Sequence, residues 1–587
     1  MTACGFRTRR PPLVIPRHAD GFSVQVFWDS DVGKWIEAAS YALAHRRDAE
    51  IEAQIEAIVD DLGSAQAADG YLNCWYLCRE PQNRWTNLRD NHELYNVGHL
   101  LEGAVAYFQT TGRRRFLDIM ERCLDHIRAT FGTGPGQKRG YCGHPENELA
   151  LVKHFRVTGD RRSLNLARYF VDERGAAPHY FDQEARARGE DPAAFTQKTH
   201  EYSQSHLPVR QQTKVVGHAV RAMYLYSAMA DLAVLTGDAS LARACEALWD
   251  DLLLTKMYVT GGIGPSASNE GFTRDYDLPN ATAYAETCAA VALIFWAQRM
   301  LHLGLDGRYA DILETALDNG ALVGLSRDGT RYFYANPLES DGTATRWHWH
   351  DCPCCTMNVS RLIASVAGYF LSTGPDGIAV HLYGGFSSDV TVGETHIRID
   401  EDGRYPWDGA VRLTIAPERP ARFALRLRIP GWASSASATV NGAPLDVSAL
   451  TDRGYLIIDR LWQSGDAVTL DLPMPPERLF AHPEVTADTG RTALRRGPLV
   501  YCVEDADNTV PVRTHRLPPD APLHAVQSDL FGGIVALTAT GRVPGPGPVS
   551  LYAVTRPRLS KATVTAIPYY LWNNRGQGGM SVWIAER

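Results

Sequence analysis

From about residue 30 to residue 371, apolar residues recur every three or four positions in segments of roughly 12–20 residues. This spacing is typical of amphipathic helices. Pairs of segments are separated by turns that contain Gly112, Gly159, Gly237 and Gly307. Glycine readily supplies the left-handed residue that ends a helix. About eleven helices in stacked hairpins predict an (α/α)6 barrel, and an α-solenoid is the alternative.

After Gly374 the pattern changes to an alternation of apolar and polar residues, as in residues 411–415 and 423–429. A period of two is typical of strands with one buried face, and Asn441-Gly442 is a typical hairpin turn. The predicted fold class is therefore a multidomain α + β chain, with an N-terminal (α/α)6 barrel followed by β-sandwich domains. We place the barrel at residues 1–372, a β-sandwich at 373–487 and a second β-rich domain at 488–587.

Length and composition limit the classes of function. A chain of 587 residues is too long for one core. Hydrophobic and charged contents of 45% and 21% are ordinary for a globular protein. The net charge of -8, without a long Lys/Arg run, argues against nucleic acid as a partner. No run of about 18 apolar residues occurs, so no membrane span is expected.

The first twelve residues contain no apolar core of the kind found in secretory signals, so we expect no secretory signal. The chain has eleven cysteines at scattered positions. An odd number without regular spacing is typical of free thiols and one metal cluster rather than a disulfide framework. These features favour a cytoplasmic location, in which the substrates would be small glycosides or imported oligosaccharides.

The cysteines suggest a metal site. Three of the eleven fall within four residues, at Cys352, Cys354 and Cys355. Earlier in the chain, Cys288 lies two positions after Glu286. Thiolates are soft ligands suited to zinc, and one carboxylate completes a tetrahedron. We predict a Zn²⁺ site made of Glu286, Cys288, Cys354 and Cys355. On a helix, positions 286 and 288 lie about 200° apart, so this pair must be extended or precede a helix.

Whether such a zinc takes part in catalysis is open at this stage. The alternatives are a purely structural zinc ion or a set of buried free thiols.

Other chemistry-bearing residues lie in glycine-rich surroundings. Glu270 follows the glycine-rich stretch 260–264, and a carboxylic acid in such a loop is suited to protonate a glycosidic oxygen. A solvated loop glutamate is the alternative. Each of three histidines follows a glycine, which lets a ligand or another backbone approach: His99, His144 and His218. Core histidines are the alternative.

The aromatic stretch from Trp347 to His350 precedes the cysteine cluster. Aromatic faces pack well on sugar C–H surfaces, so these side chains are candidates for a sugar-stacking wall. Filling of a core at a domain junction is the alternative.

Taken together, the ordered motifs resemble the glycoside hydrolase family 127 β-L-arabinofuranosidases and the broader family once labelled DUF1680. The resemblance covers nearly the whole chain. Its motifs in the helical part are Gly98-His99-Leu100, Gly143-His144, Gly217-His218, Thr260-Gly-Gly-Ile-Gly264, Glu286-Thr-Cys288 and Cys352-x-Cys354-Cys355-x-x-Asn358. Those in the β part include Tyr405-Pro-Trp-Asp-Gly409 and Arg496-Gly-Pro-Leu-Val-Tyr-Cys502.

The resemblance implies a barrel with β-sandwich domains and a retaining exo-hydrolase that releases L-arabinofuranose from β-L-arabinofuranosides. The family's zinc ligands are similar to the four residues predicted above. Its nucleophile would be Cys354, and its acid/base glutamate would be Glu270. Its sugar-binding histidines would be His99, His144 and His218.

The sequence departs from the family pattern at two places that bear on specificity. Thr356-Met357 stands where the family often has Pro-Pro, and Pro145 stands where some members have Gln. A different sugar is therefore one alternative.

Two further alternatives remain. A carboxylate pair drawn from Glu146, Glu148 and Asp277 would act as a hydrolase or lyase beside a structural zinc, or the chain would bind carbohydrate without turnover. The β domains could also form a homodimer, and no sequence pattern decides this.

Overall fold

The structure is a computed structural model that describes residues 25–195, 197, 199–350, 352–545, 551–555 and 557–586. Its N-terminal part is helical. The helices in these ranges are α1 (Trp28–His45), α2 (Ala49–Ala65), α3 (Cys74–Cys78), α4 (Glu93–Thr111), α5 (Arg115–Thr130), α6 (Asn147–Thr158), α7 (Arg161–Glu173), α8 (Tyr180–Ala187), α9 (Ala219–Thr236), α10 (Ala239–Thr255), α11 (Thr287–Leu303), α12 (Gly307–Thr315), α13 (Cys354–Ser365) and α14 (Val447–Leu450).

Six of these helices form a closed inner ring. Helices α1, α4, α6, α9, α11 and α13 pack each against the next, and α13 packs back against α1. Helices α2, α5, α7, α10 and α12 each pack outside the inner helix that precedes them. Closure of the ring confirms the predicted helical barrel and excludes an open solenoid. No helix within the described ranges is long and apolar enough to cross a membrane.

Glycine turns connect several of the hairpins, as predicted. Gly112, Gly159 and Gly237 follow α4, α6 and α9 in the left-handed conformation, with φ of 73°, 74° and 68°. Gly307 is different, because it is the first residue of α12 and the side chain of Asp306 caps that helix. The prediction that Gly307 lies in a turn between helices was therefore off by a residue or two.

The rest of the described chain is mainly β. Its strands are β1 (Glu339–Asp341), β2 (Leu371–Gly374), β3 (Gly377–Val380), β4 (Phe386–Val392), β5 (Thr395–Gly403), β6 (Ala410–Pro417), β7 (Ala421–Arg428), β8 (Ser437–Val440), β9 (Ala443–Leu445), β10 (Thr451–Asp452), β11 (Tyr455–Trp462), β12 (Asp466–Asp471), β13 (Pro476–Leu479), β14 (Arg491–Arg496), β15 (Leu499–Glu504), β16 (His524–Ser528), β17 (Ile534–Pro544), β18 (Leu559–Pro568), β19 (Gly579–Ser581) and β20 (Ile584–Ala585).

Two sheets share one core in the middle of the chain. One has the order β10-β11-β7-β3-β2 and the other β4-β5-β6-β12-β8-β9. Their inward residues, among them Leu413, Leu425 and Trp462, form a single buried cluster. This arrangement is a β-sandwich.

A nine-stranded sheet follows, with the order β1-β19-β15-β18-β17-β16 and with β13, β14 and β20 joined to it. It takes β13 from residues before 488 and β1 from within the barrel segment. The sheet therefore does not begin at the boundary placed at residue 488.

Buried polar contacts fix the β domains to the barrel. Arg428 of the sandwich is fully buried and bonds to Asp311 at 2.6 Å and to Glu314. Asn319 donates to the carbonyl of Pro498 at 3.0 Å and accepts from the amide of Val500 at 2.8 Å. Because such pairs are costly to break when buried, the β domains hold this side of the barrel rigidly.

Candidate active site

The predicted metal ligands meet where two neighbouring inner helices begin. Glu286 directly precedes α11 and Cys288 lies in its first turn, while Cys354 and Cys355 are the first two residues of α13. This matches the pre-helical placement that the 286/288 spacing predicts. Helix N-termini carry partial positive charge, which favours thiolates and carboxylates there.

The four side chains form a compact donor set. The sulfur of Cys288 is 3.4 Å from that of Cys354 and 3.3 Å from that of Cys355, and the latter two are 3.9 Å apart. Glu286 Oε1 is 3.7 Å from Cys354 Sγ and 3.8 Å from Cys355 Sγ. A zinc tetrahedron with Zn–S of about 2.3 Å and Zn–O of about 2.0 Å has edges of about 3.5–3.8 Å. The residues therefore fit a zinc ion.

A second observation supports this fit. Glu286 Oε2 is buried and has no hydrogen-bond partner in the described structure. Burial and the neighbouring Cys354 raise the pKa of the Glu286 carboxyl well above its ordinary value. A buried carboxylate among thiols is costly unless a cation compensates it.

Two further side chains contact the thiols. The amide of Asn358 donates to Cys288 Sγ at 3.0 Å, and the Tyr334 hydroxyl lies 3.5 Å from Cys354 Sγ. Cys352, the remaining member of the cysteine motif, is half-buried with its sulfur 4.0 Å from the same hydroxyl. Cys352 therefore lies beside the four-residue cluster but is not grouped with it.

Glu270 lies next to this cluster, at a turn with φ of 48°. The Tyr284 hydroxyl donates to its Oε1 at 3.0 Å, and the Tyr202 hydroxyl lies 3.4 Å from its Oε2. One donor atom each of His218, Glu270 and Glu286 lie within 4.8 Å of one another. The carboxylate of Glu286 therefore lies near both Glu270 and Cys354.

His218 has a defined orientation. It caps α9, and its Nδ1 accepts a hydrogen bond from the amide of Val220 at 3.2 Å. The proton of the neutral ring is then on Nε2, which lies 3.4 Å from Glu270 Oε2. Burial lowers the pKa of His218, so the imidazole is neutral and its Nε2–H points to the carboxylate.

Opposing effects act on the pKa of Glu270. Burial raises it, but hydrogen bonds with His218 and Tyr284 and the charge of Arg221 outweigh burial and lower the pKa below its ordinary value. Its side chain is 36% exposed, so one edge of the carboxylate faces open space. In the free site Glu270 is therefore an ionised hydrogen-bond acceptor.

The three histidines predicted to bind sugar come together around Tyr95. The ring of Tyr95 is 4.6 Å from that of His99 and 4.3 Å from that of His144, which is 5.5 Å from that of His218. Burial lowers the pKa of both His99 and His144 well below its ordinary value. His99 and His144 are therefore neutral rings that pack around Tyr95.

The glycines before these histidines serve chain packing. A Cβ on Gly143 would lie 1.9 Å from the carbonyl oxygen of Arg89, and one on Gly217 would lie 2.0 Å from that of Glu201. Gly217 also has φ of 72°. Of the two reasons predicted for a small neighbour, another backbone segment is therefore the one observed.

The carboxylates considered as an alternative catalytic pair point to different partners. Glu146 Oε1 is 3.0 Å from His99 Nδ1, whereas Glu148 Oε1 is 3.2 Å from Arg174 Nη2 in a buried ion pair. Among the described metal-like groupings, neither is clustered with Asp277. Within the described structure, Glu146 is instead grouped with His99 and Glu102.

The aromatic stretch before the cysteines is at the surface rather than in a core. Trp347 is 39% exposed, and its ring stacks on His350 at 4.5 Å. The ring of Tyr334, whose hydroxyl contacts Cys354, is 5.5 Å from that of His350. Tyr334 thus contacts both Cys354 and the ring of His350, so these rings lie next to the thiol cluster.

Sequence reasoning missed the tyrosines of the site. Tyr95, Tyr202, Tyr284 and Tyr334 contact predicted site residues. Tyr284 carried a weak signal, because it lies two residues before Glu286 in the sequence. The others have no local signature.

Comparison with known proteins agrees with this site. The family model of the β-L-arabinofuranosidase GH127 catalytic domain matches residues 8–368. The GH127 middle domain matches residues 377–474, and the GH127 C-terminal domain matches residues 476–585. The last match begins where β13 enters the nine-stranded sheet.

Relatives align over nearly the whole chain. A non-reducing end β-L-arabinofuranosidase of Bifidobacterium longum subsp. longum is 38% identical over 96% of this chain and 90% of its own length. The crystal structure of a GH127 β-L-arabinofuranosidase from Geobacillus stearothermophilus T6 has a TM-score of 0.94 and 48% identity, over 96% of this chain and 91% of that one. A second GH127 β-arabinofuranosidase structure has a TM-score of 0.88 and 36% identity, over 97% and 90%.

The helical barrel, the β domains and these matches define the chain as a glycoside hydrolase. It belongs to glycoside hydrolase family 127.

Proposed function

We propose that this chain is a retaining exo-hydrolase that releases L-arabinofuranose from the non-reducing end of β-L-arabinofuranosides. The family membership and the names of its relatives support the substrate. One observation carries the mechanism: Cys354 Sγ lies 3.7 Å from Glu286, and Glu286 lies within 4.8 Å of Glu270. A sulfur nucleophile and a carboxyl group are thus close enough to act on one sugar.

The group of rings around Tyr95 would suit contact with a terminal sugar. His99, His144 and His218 are buried there as neutral rings. A neutral imidazole has one donor and one acceptor, which matches the hydroxyls of an uncharged furanose. The occupant would be a small glycoside or an oligosaccharide.

Glu286, Cys288, Cys354 and Cys355 would hold a Zn²⁺ ion, whose charge would keep the thiols deprotonated at neutral pH. The chain itself orients the nucleophile, because the first turn of α13 fixes Cys354 between Glu286 and Tyr334. Position and ionisation together make the sulfur a suitable attacking group.

The reaction takes two displacements. In the first, Cys354 Sγ bonds to the anomeric carbon, the bond to the leaving oxygen breaks, and that oxygen takes the proton of Glu270. In the second, Glu270 removes a proton from water, the water oxygen bonds to the anomeric carbon, and the S–C electron pair returns to Cys354. Two inversions give net retention.

Glu270 must gain a proton before the first displacement, since contacts with His218 and Tyr284 lower its pKa in the free site. A bound sugar excludes water from the exposed edge of the carboxylate. Loss of solvation favours the neutral acid, and the leaving oxygen then offers an acceptor for its proton. Substrate binding thus converts Glu270 from an ionised acceptor to an acid.

The test is hydrolysis of p-nitrophenyl β-L-arabinofuranoside by wild type, Cys354→Ser and Cys352→Ser, with zinc content measured on each. We expect turnover by wild type with the β-anomer formed first, no turnover by zinc-loaded Cys354→Ser, and turnover by Cys352→Ser. Substantial activity of zinc-loaded Cys354→Ser would contradict the thiolate mechanism and favour a structural zinc. An inactive but zinc-loaded wild type would contradict the sugar assignment.

A further inference from the structure

A second group of metal-type ligands lies outside the thiol cluster, and we call it the His/Asp group. It consists of His179, which directly precedes α8, Asp182 in the first turn of α8, and His200, which begins a short 3₁₀ helix. One donor atom of each residue lies within 4.8 Å of those of the other two. His200 is 21 positions after His179, so the fold brings these side chains together.

The ring of His179 has a defined orientation. Its Nε2 lies 3.0 Å from the carbonyl oxygen of Ser205 and 3.2 Å from Ser205 Oγ. Because a carbonyl oxygen only accepts, Nε2 carries the ring proton and Nδ1 carries the lone pair. Metal-binding histidines usually make such a bond through their other ring nitrogen. Burial and the neighbouring His200 lower the pKa of His179 to about 4, so the lone pair is available at neutral pH.

The donor atoms of the His/Asp group have few other partners. Nδ1 of His179 and Nδ1 of His200 are buried and have no hydrogen-bond partner in the described structure. Among the described residues, the Asp182 carboxylate pairs with His200 and with no Lys or Arg. The side chains of Asp182 and His200 are 28% and 34% exposed, so an ion can reach the group from solvent.

The spacing of these donors is close to that of ligands around one ion. Asp182 Oδ1 is 3.2 Å from His200 Nε2, and the corresponding edge of a zinc tetrahedron is about 3.3 Å. The rings of His179 and His200 stack with centroids 3.5 Å apart and planes 15° apart. Lone pairs of parallel rings do not converge, so binding requires a rotation of the His200 ring about its χ2 torsion, which is soft.

We propose that His179, Asp182 and His200 form a second metal site, which binds a divalent transition metal ion such as Zn²⁺ or Co²⁺. Two imidazoles and one carboxylate are suited to these ions, with water as the remaining ligand. The ion would join the start of α8 to the 3₁₀ helix that carries Tyr202, whose hydroxyl is 3.4 Å from Glu270 Oε2. It is a structural clamp beside the active site, and its binding does not depend on the proposed reaction.

Cobalt distinguishes the two sites. Wild type is first loaded with one equivalent of Zn²⁺, which we expect in the thiol cluster, and Co²⁺ is then titrated. We expect one further equivalent to bind, with ligand-field absorption but without the thiolate-to-cobalt charge-transfer bands that a cysteine site would give. Equilibrium dialysis of the zinc-loaded protein against Co²⁺ measures the affinity.

Two variants each remove one donor, namely His200→Ala and Asp182→Ala. Co²⁺ affinity should fall more than about tenfold in each, because even the loss of a ligand's partner has an effect of that size. The control is His396→Ala on the exposed side of β5, which should bind Co²⁺ as wild type does. Co²⁺ should also raise the Tm of zinc-loaded wild type and of the control, but not that of the two variants.

Retained zinc content and an unchanged Tm without Co²⁺ show that a variant is folded, and either folded variant is sufficient for the test. No second equivalent in wild type, or thiolate-to-cobalt bands as the only signal, would overturn the proposal. Wild-type Co²⁺ affinity in a folded His200→Ala would do the same. Wild-type affinity in Asp182→Ala alone would also overturn it, since it would indicate an adventitious histidine pair rather than a site built from three ligands.

Discussion

The side-chain amide of Asn358 donates a hydrogen bond to the sulfur of Cys288 at 3.0 Å. Its orientation is fixed, because its Oδ1 accepts from the Tyr224 hydroxyl at 3.1 Å and from Arg361 Nε at 2.9 Å. Cys354 instead has its sulfur 3.5 Å from the Tyr334 hydroxyl. The amide donor of Asn358 therefore withdraws charge from Cys288, which supports that sulfur as a metal ligand.

Replacing Asn358 by Asp should weaken metal binding. Aspartate keeps the acceptor for Arg361 and Tyr224 but removes the donor to Cys288 and adds a negative charge beside the sulfur. We expect zinc affinity to fall about 10- to 100-fold, as is usual when a partner of a metal ligand is lost. Competition with a chromogenic chelator measures it.

The matched control is Asn319→Asp, a buried asparagine at the junction with the C-terminal sheet. It should lower thermal stability without changing zinc affinity. Equal zinc affinity of Asn358→Asp and wild type would show that the amide does not support the metal site.

Glu270→Gln should remove acid catalysis. We expect kcat/KM on alkyl β-L-arabinofuranosides to fall about 10²–10⁴-fold, with a smaller loss on the p-nitrophenyl glycoside, whose leaving group needs no proton. Steady-state kinetics on both substrates measures the difference, and Asp277→Asn is the comparison. Equal losses on both substrates would argue against the acid role, and a large loss in Asp277→Asn would favour a carboxylate-pair mechanism.

The Glu/Cys cluster and the helical barrel could be predicted from the sequence because the patterns that indicate them are local. Three cysteines within four residues, and a carboxylate two positions from a fourth cysteine, predict the cluster before any fold is known, although Cys352 lies outside it. The glycines after α4, α6 and α9 predict the ends of these helices, because glycine readily adopts the left-handed conformation that is found there.

The tyrosines around Glu270 and the limits of the C-terminal sheet could not be predicted from the sequence. Tyr202 and Glu270 are 68 positions apart, and β1 pairs with β19 across more than 230 residues. Such contacts depend on ring closure and domain docking, which leave no periodic trace. A tyrosine that contacts a carboxylate has the same sequence signature as one in a core.

Tyr284→Phe should shift the pH profile. A donor to the ionised form lowers the pKa of a carboxyl, so loss of the Tyr284 hydroxyl, 3.0 Å from Glu270, should raise the pKa of Glu270. An acid must be protonated, and Glu270 gains its proton in the complex with substrate, so the alkaline limb of kcat should move up by about half a unit to one unit. Activity on a methyl glycoside as a function of pH measures it.

Tyr202→Phe and Tyr332→Phe calibrate this shift. Tyr202 is 3.4 Å from Glu270 and should give a smaller displacement. The Tyr332 hydroxyl is buried without a hydrogen-bond partner in the described structure, and its loss should leave the limb in place. A movement to lower pH in Tyr284→Phe would contradict the hydrogen-bond account.

Glu93, the first residue of α4, should make stability depend on pH. Burial raises its pKa to about 8, although the Tyr71 hydroxyl and the amide of Trp85 oppose this. A folded-state pKa above the unfolded value of about 4.3 means that the folded chain holds a proton that the unfolded chain releases. The contribution to stability is therefore full below about pH 4.3 and is lost as pH rises to about 8.

Glu93→Gln removes this titration while it keeps an acceptor for the amide of Trp85. The Tm of the variant relative to wild type should rise between pH 5 and pH 8, on the order of a few degrees, as measured by calorimetry at both values. A constant difference in Tm would mean that Glu93 is ionised in the folded chain throughout.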